Sequence, residues 1–287
     1  MTPTDLKILP RDRRFGRDHT PARHWLNDDP IATAFFNALS ITFPRGEAYF
    51  IESVRAFRDG VPDRLAREIA AFIKQEVVHS REHLAFNRQV TDQGYDTTLL
   101  DDDVTRLLDL ARARPPIISL AATMALEHFT AILAHELLRD PRHLDGADAQ
   151  VAALWRWHAV EEIEHKGVAY DTWVHATRDW TGLKRWWVKS LMMLIVTRHF
   201  LHHRARGMMI LLRQDGIVGR RAWGGLLHYA LVRPGILRRV VLPWLGYFRP
   251  GFHPWAVDDR SLIALTESDY ADARMDARTG ALLPSAA

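Results

Sequence analysis

Apolar residues recur at helical spacing along four long stretches of the chain, at about 31–58, 63–92, 116–139 and 147–178. Residues three, four and seven apart share one face of a helix, and the alternation typical of strands is scarce. Pro44 falls inside the first stretch and is expected to kink it or to start its second half. The pattern predicts an all-α protein built around a four-helix bundle.

Turn residues and prolines separate these stretches at 59–62, 94–103 and 140–146, and a short connecting helix is expected at 103–113. Composition then divides the chain into four parts. These are an irregular N-terminal arm at 1–29, the bundle at 30–182, a basic aromatic helical segment at 183–262 and a tail at 263–287.

Cysteine is absent among the 287 residues, which excludes disulfides, thiolate metal sites and cysteine nucleophiles. The side chains that remain available to bind a metal are those of 15 His and of 35 Asp and Glu residues. The N-terminus lacks the apolar core of a secretory signal, so a cytoplasmic protein is expected.

The Glu residues stand out by their positions, since only 11 of them occur in the chain. Two Glu-x-x-His motifs, Glu76 with His79 and Glu162 with His165, lie on separate predicted helices. Each motif places a carboxylate and an imidazole on one helix face. Glu47 precedes the first motif by 28 intervening residues and Glu127 precedes the second by 34, which suits one helical hairpin each.

The combination matches the ligand set of a dimetal carboxylate site in a ferritin-like bundle, in which two helices supply one Glu each and two supply a Glu-x-x-His each. Chance alone would produce about 0.6 such pairs in a chain of this composition, so the doubled pattern is informative. The alternative is that the Glu side chains are exposed and the His side chains are hydrogen-bonded in the core. The six expected metal ligands are Glu47, Glu76, His79, Glu127, Glu162 and His165.

Further polar groups share the helix faces of these motifs. His83 lies four residues beyond His79, and His158 lies four before Glu162, so either could be an extra ligand, a hydrogen-bond partner of a ligand or a proton carrier. Together with Glu161 they are the candidate catalytic residues. Supporting or surface roles are expected for Glu82, Glu164, His128 and His135.

Three segments carry a resemblance to a known family: residues 44–50 (PRGEAYF), residues 157–166 (WHAVEEIEHK) and residues 247–255 (YFRPGFHPW). Over about residues 10–260 the chain resembles a bacterial family described as predicted metal-dependent hydrolases. The doubled Glu and Glu-x-x-His pattern also resembles, more distantly, the ferritin-like non-haem di-iron oxygenases and oxidases.

Oxygen and imidazole ligands without sulfur suit two iron ions, with manganese or zinc as alternatives. The expected function is an O₂-dependent oxidase or oxygenase acting on a hydrophobic small molecule. A metal-dependent hydrolase on the same ligands is the alternative, because the same ions can activate water. A non-catalytic, membrane-associated metal-binding protein is the third interpretation.

Charge is distributed unevenly along the chain. Residues 183–250 hold 13 Lys and Arg and one acid, a balance of +12, so the rest of a chain with net charge +3 carries −9. Cations interleaved with Trp and Leu over residues 183–240 are typical of a helix that lies in the headgroup layer of an anionic membrane. The alternatives are a subdomain that packs on the bundle and, less favoured, a nucleic-acid surface. The expected location is therefore cytoplasmic, with attachment to the inner face of the membrane, and a dimer is one expected oligomeric state.

Overall fold

The structure is a computed structural model that describes residues 2–267. Within these residues the only β contact is a single bridge between Leu26 and Ala147, so the predicted all-α fold is confirmed. The helices are α1 (Pro30–Arg55), α2 (Asp63–Asp92), α3 (Thr98–Arg112), α4 (Pro116–Arg139), α5 (Ala149–His165), α6 (Val168–Ala176), α7 (Gly182–Gln214), α8 (Gly219–Leu231) and α9 (Ile236–Gly246).

Four of these helices form the bundle. α1 packs along α2 and α4 packs along α5, while α1 also touches α4 and α2 touches α5. The carboxylate of Asp29 caps α1 by accepting from the amides of Ile31 and Ala32, and Pro30 occupies the first turn, where a missing N–H costs nothing. α1 then continues through Pro44 instead of restarting there.

The single helix expected over 147–178 is wrong, because it is divided between α5 and α6 directly after His165. Gly167 lies at the break, where glycine weakens a helix. A Cβ at this position would lie 3.0 Å from Cδ1 of Trp255 and 2.8 Å from Oγ1 of Thr2. The close approach of Trp255 therefore requires glycine, and the glycine favours the end of α5 at the motif.

The connecting helix expected at 103–113 begins earlier, at Thr98 in α3. The amide of Thr98 donates to the carboxylate of Asp96 at 2.9 Å, and this Asx turn leads into the helix inside the stretch that was expected to be a loop.

α7 lies across α1 and α4 and contributes to both apolar cores of the protein. Met193 and Leu211 on its inner face are fully buried. Gly207 allows the helix to approach α1, since a Cβ there would lie 3.3 Å from the Cβ of Ala38. The basic segment is thus anchored on the bundle along one side of α7.

α4 is the one helix of the described residues that is long and apolar enough to span a membrane. It carries Glu127 and forms the centre of the bundle, and 72% of its most apolar window is buried against the other helices.

The N-terminal arm is irregular, as predicted, but it packs firmly on the bundle. Trp25 and Leu26 are buried, and Nε1 of Trp25 donates to the side chain of Asn37 in α1 at 2.9 Å. Most of the predicted tail, residues 268–287, lies outside the described residues.

Candidate metal centre

The structure brings the six predicted ligands together in the middle of the bundle. Glu47 comes from α1, Glu127 from α4, and α2 and α5 supply one Glu-x-x-His motif each. None of the six exposes more than 3% of its surface. The helical spacing that suggested the motifs therefore also places them on the inner faces of four helices.

These side chains form two adjacent groups of three that share one carboxylate. Ligand atoms of Glu47, Glu76 and His79 lie within 4.8 Å of one another, as do those of Glu76, Glu127 and His165. Glu162 lies between the groups, because its Oε1 is 3.5 Å from Nδ1 of His79 and 3.5 Å from Nε2 of His165. The arrangement offers two neighbouring cation positions with Glu76 and Glu162 facing both.

Many polar atoms at this centre have no hydrogen-bond partner among the described residues. They are both carboxylate oxygens of Glu76 and of Glu127, Oε1 of Glu47, Oε2 of Glu162, Nδ1 of His79 and Nε2 of His165. A buried polar atom without a partner is costly, and a buried carboxylate more so. Divalent cations would satisfy all of these atoms at once, and the oxygen and imidazole donors suit iron, manganese or zinc.

Each imidazole is held by a hydrogen bond on the side away from the cluster. Nε2 of His79 contacts Oε2 of Glu161 at 3.0 Å, and Nδ1 of His165 contacts Oε1 of Gln75 at 3.0 Å. The remaining nitrogens, Nδ1 of His79 and Nε2 of His165, face the carboxylates, and each would be free to bind a cation once it has lost its proton.

Burial and mutual repulsion change the protonation of the carboxylates in the absence of metal. Burial and the neighbouring carboxylates raise the pKa of Glu47 and of Glu127 well above the ordinary value. Burial also acts to raise the pKa of Glu162, but the imidazoles of His165 and His158 outweigh it and bring that pKa well below the ordinary value. Burial acts to lower the pKa of His79, but the surrounding carboxylates of Glu161, Glu162 and Glu76 outweigh it and raise that pKa well above the ordinary value.

His83 and His158 extend the centre on one side, where they form two further groups with ligand atoms within 4.8 Å of one another: Glu47 with His83 and His158, and His79 with His158 and Glu162. Nε2 of His158 lies 3.1 Å from Oε1 of Glu162, and Nδ1 of His158 lies 3.0 Å from Nε2 of His83. Burial lowers the pKa of His158 to about 4 and that of His83 well below the ordinary value. Both rings are neutral near pH 7.

The hydrogen bonds around His83 determine which nitrogen donates and which accepts between His83 and His158. The side-chain amide of Asn87 donates to the carbonyl oxygen of Ser40, which orients its Oδ1 to accept from the Ser40 hydroxyl at 2.6 Å. Since the Ser40 hydroxyl donates there, Nδ1 of His83 at 2.8 Å must donate to Ser40 Oγ. Nε2 of His83 then accepts from Nδ1 of His158, so Nε2 of the neutral His158 carries no proton. It faces Oε1 of Glu162 at 3.1 Å, a repulsive contact that cations bound in the cluster would relieve.

Asn87 also lines a cleft of about 550 Å³ between α1, α2 and α3. Apolar side chains of Ile41, Pro44 and Leu84 share its wall with the guanidinium groups of Arg45 and Arg88. The hydrogen-bonded chain from Asn87 to His158 therefore joins the cleft to the metal centre.

The arm covers the centre through contacts that sequence reasoning missed. The amide of Arg11 donates to Glu161 at 3.0 Å, and its guanidinium donates to both oxygens of Glu164 at 2.7 and 3.0 Å. Glu164 also accepts from Gln75, and Glu82 accepts from the amide of Phe15. Gln75 could have been found from its position four residues before His79, on the same helix face. An irregular arm provides no such periodic signal.

Two of the expected supporting residues lie elsewhere. His128 packs against Tyr247 and Phe252, and His135 contacts the carboxylate of Asp259 at 2.9 Å. His128 is one residue beyond Glu127 and His135 is eight beyond it, so on a helix of 3.6 residues per turn both lie to the side of the face that carries Glu127.

A separate buried group combines Glu136, Asp140 and His143 at the end of α4. The carboxylates there are neutralised by guanidinium groups, since Arg139 and Arg239 contact Glu136 at 2.6 and 3.2 Å and Arg142 pairs with Asp140. The charge balance indicates a structural ion-pair network in this group.

Four helices that surround a buried cluster of unpartnered carboxylates and imidazoles define an all-helical metal-binding protein. The chain belongs to the family described as predicted metal-dependent hydrolases, whose family model matches residues 9–258. No protein among those with curated functions and no solved structure matches the chain. The protein is thus metal-dependent, and its family favours the hydrolytic alternative over the expected oxygen-dependent one.

Proposed function

We propose that the protein is a hydrolase that uses two divalent cations in the cluster of Glu47, Glu76, His79, Glu127, Glu162 and His165. The observation that carries the proposal is the sharing of Glu76 by two adjacent ligand groups whose buried atoms lack other partners. Cations held there supply Lewis acidity and lower the pKa of water, which is the chemistry that hydrolysis requires.

The chain itself contributes a base beside the cluster. His158 is neutral at pH 7, because burial lowers its pKa to about 4, and its Nε2 lone pair faces the centre. Its Nε2 can accept a hydrogen bond from the attacking water and orient it, but with a pKa of about 4 it is a weak base and would hold the proton of that water only transiently. The contact from Nδ1 of His158 to Nε2 of His83 at 3.0 Å, continued through Ser40 and Asn87, fixes the orientation of the base.

The cleft between α1, α2 and α3 is the proposed entry site for the substrate, since Asn87 on its wall is joined by hydrogen bonds through Ser40 and His83 to His158 at the centre. Its apolar wall suits a hydrophobic small molecule, and Arg45 and Arg88 suit a polar or anionic end of that molecule. Arg45 is paired with Asp101 at the rim, so Arg88 is the guanidinium that we propose for this contact.

An O₂-dependent oxidase is the second candidate, and a specific observation favours it. Single Glu residues on α1 and α4 with Glu-x-x-His motifs on α2 and α5 are the arrangement used by di-iron proteins of the ferritin-like type. Iron in the cluster would supply the electrons for reduction of O₂. This support comes from the similar arrangement of ligands in other proteins, and such a similarity indicates the metal more strongly than the reaction.

The reaction is tested with protein reconstituted separately with zinc and with ferrous iron. For a hydrolase, we expect the zinc form to cleave p-nitrophenyl acetate, p-nitrophenyl phosphate or an N-acyl p-nitroanilide. This activity should be lost in Glu76→Gln and kept in the surface control Glu52→Gln. If the zinc form is inert while the ferrous form rapidly consumes O₂ and develops a ferric absorption band, the hydrolase proposal is wrong and the oxidase is supported.

A further inference from the structure

α7 exposes large apolar side chains along the face that points away from the bundle. Trp187, Leu191 and Leu194 expose 60%, 56% and 51% of their surfaces. They are four and three residues apart, so they form one stripe on the helix. The opposite face of α7 is the one that fills the core, and this stripe has no packing role within residues 2–267.

The two helices that follow repeat the arrangement. Trp223, Leu227 and Leu231 form an exposed stripe on α8, and Leu242, with 78% of its surface exposed, lies with Leu245 on the outer side of α9. The three helices are neighbours: Nε1 of Trp244 in α9 donates to Thr197 in α7 at 2.9 Å, and α8 packs on α9. We refer to these exposed residues of α7, α8 and α9 as the apolar surface.

Cations accompany the apolar surface, and several of them have no ion-pair partner among the described residues. Asp215 is the one acid of residues 183–250, and it is buried, with its carboxylate accepting from Arg23 and Tyr95. The exposed cations beside the stripes are Lys184, Arg198, Arg220, Arg221 and Arg238. Few soluble surfaces combine several exposed apolar stripes on neighbouring helices with unpaired cations.

We propose that the apolar surface docks the protein on an anionic lipid bilayer. Charge complementarity selects the lipid, because several cations with no neighbouring carboxylate are attracted to negative headgroups. Trp and Leu side chains enter the boundary between headgroups and acyl chains, as in amphipathic interfacial helices. A second copy of the chain is disfavoured as the occupant, because a symmetric contact would place like charges against each other.

The proposal goes beyond hydrolysis and does not depend on it. α7 packs on α1 and α4, which carry Glu47 and Glu127, so docking would hold the metal centre close to the bilayer. A water-insoluble substrate would then reach the protein from the membrane.

The test is co-sedimentation of the metal-loaded protein with vesicles, at low and at high salt. One set of vesicles contains phosphatidylcholine alone, and the other also contains about 30% of the anionic lipid phosphatidylglycerol, which is on the order of the anionic lipid content of cell membranes. We expect binding to the anionic vesicles only, weakened about tenfold or more by high salt, since the attraction between cations and headgroups is screened. Trp187→Ser with Leu242→Ser should reduce binding about tenfold or more. The control Leu99→Ser with Leu110→Ser, exposed apolar residues of α3, should leave it unchanged.

The substituted residues lie on the surface, so each variant is expected to fold. Metal content and circular dichroism check that it does. Equal binding to both kinds of vesicle, no effect of salt, or no effect of the Trp187 and Leu242 changes would overturn the proposal. A dimer in light scattering that the same changes dissociate would assign the apolar surface to a second copy instead.

Discussion

Nε2 of His79 lies 3.0 Å from Oε2 of Glu161, and this contact determines which nitrogen of the ring faces the metal centre. A carboxylate accepts only from a protonated nitrogen, so the proton of the neutral ring is held on Nε2 and Nδ1 is left for a cation. Glu161 is in turn held by Nε1 of Trp157 at 3.1 Å and by the arm. The orientation of His79 is therefore set by Glu161, Trp157 and Arg11, which lie outside the cluster.

Loss of the Glu161 carboxylate should weaken metal binding without removing a ligand. We expect Glu161→Leu to reduce the affinity for zinc about 10- to 100-fold, which is the usual effect of removing a hydrogen-bond partner of a metal ligand. Glu161→Gln keeps an acceptor for His79 and should lose far less. Isothermal titration calorimetry measures both, and equal affinities in the Leu variant and the native protein would contradict the role of Glu161.

The two ligand groups predict different stoichiometries for different variants. Of the two groups formed by the six predicted ligands alone, Glu47 belongs to one and Glu127 to the other, whereas Glu76 belongs to both. Glu47→Ala and Glu127→Ala should each keep about one cation of the two, while Glu76→Ala should lose most of both. Elemental analysis after dialysis measures the ratio of metal to protein. Two cations retained in Glu76→Ala would show that the shared carboxylate is not a ligand.

The six residues of the cluster could be predicted because each argument was local. A spacing of three puts Glu76 beside His79 on any helix, and the distance from Glu47 to Glu76 fits a hairpin. The role of Arg11 could not be predicted, because 150 residues separate it from Glu161 and an irregular arm has no periodicity that would indicate its partner. The break after His165 was missed for a similar reason, since it depends on Trp255, which lies far away in the sequence.

Metal binding should release protons at neutral pH. Because burial and neighbouring carboxylates raise the pKa of Glu47 and Glu127, these groups hold protons in the metal-free protein well above the ordinary range. A cation must displace those protons, so affinity should rise with pH. Their folded pKa values exceed the unfolded values, so the metal-free protein is also expected to lose stability as pH rises through the folded values.

Calorimetry in buffers of different ionisation enthalpy counts the released protons. The count should fall in Glu127→Gln, which has no proton to release there, and should be unchanged in the surface variant Glu52→Gln. Binding of metal with no proton release near pH 7 would show that both carboxylates are already ionised.

Arg11 should contribute to stability more than an exposed arginine does. Its guanidinium pairs with both oxygens of Glu164, and the two side chains expose 13% and 3% of their surfaces. Removing one partner of a buried pair leaves an uncompensated charge, so Arg11→Met should lower the free energy of unfolding by about 3 kcal/mol. Arg45→Met, which breaks the exposed pair with Asp101, should cost less than about 1 kcal/mol. Urea unfolding of the metal-loaded protein compares them, and equal losses would refute the distinction.

The chain of hydrogen bonds from Asn87 to His158 should affect catalysis and not metal content. Ser40→Ala removes the acceptor of the proton on Nδ1 of His83, so His83 and His158 become free to exchange tautomers and the lone pair of His158 Nε2 is no longer fixed toward the centre. Since a positioned base contributes about 10²- to 10⁴-fold, kcat of the zinc form should fall by at least about tenfold, and its dependence on pH should change.

Ser53→Ala is the matched control for this change. Ser53 is also buried on α1, and its hydroxyl bonds to that of Thr123, but it does not contact a histidine. It should keep the native pH profile even if its stability falls. Nitrogen-15 spectra of the histidine rings should show one tautomer of His158 in the native protein and in Ser53→Ala, and a mixture in Ser40→Ala. A single unchanged tautomer in Ser40→Ala, with native kcat, would show that the cluster alone orients His158 and that the connection to the cleft has no part in the reaction.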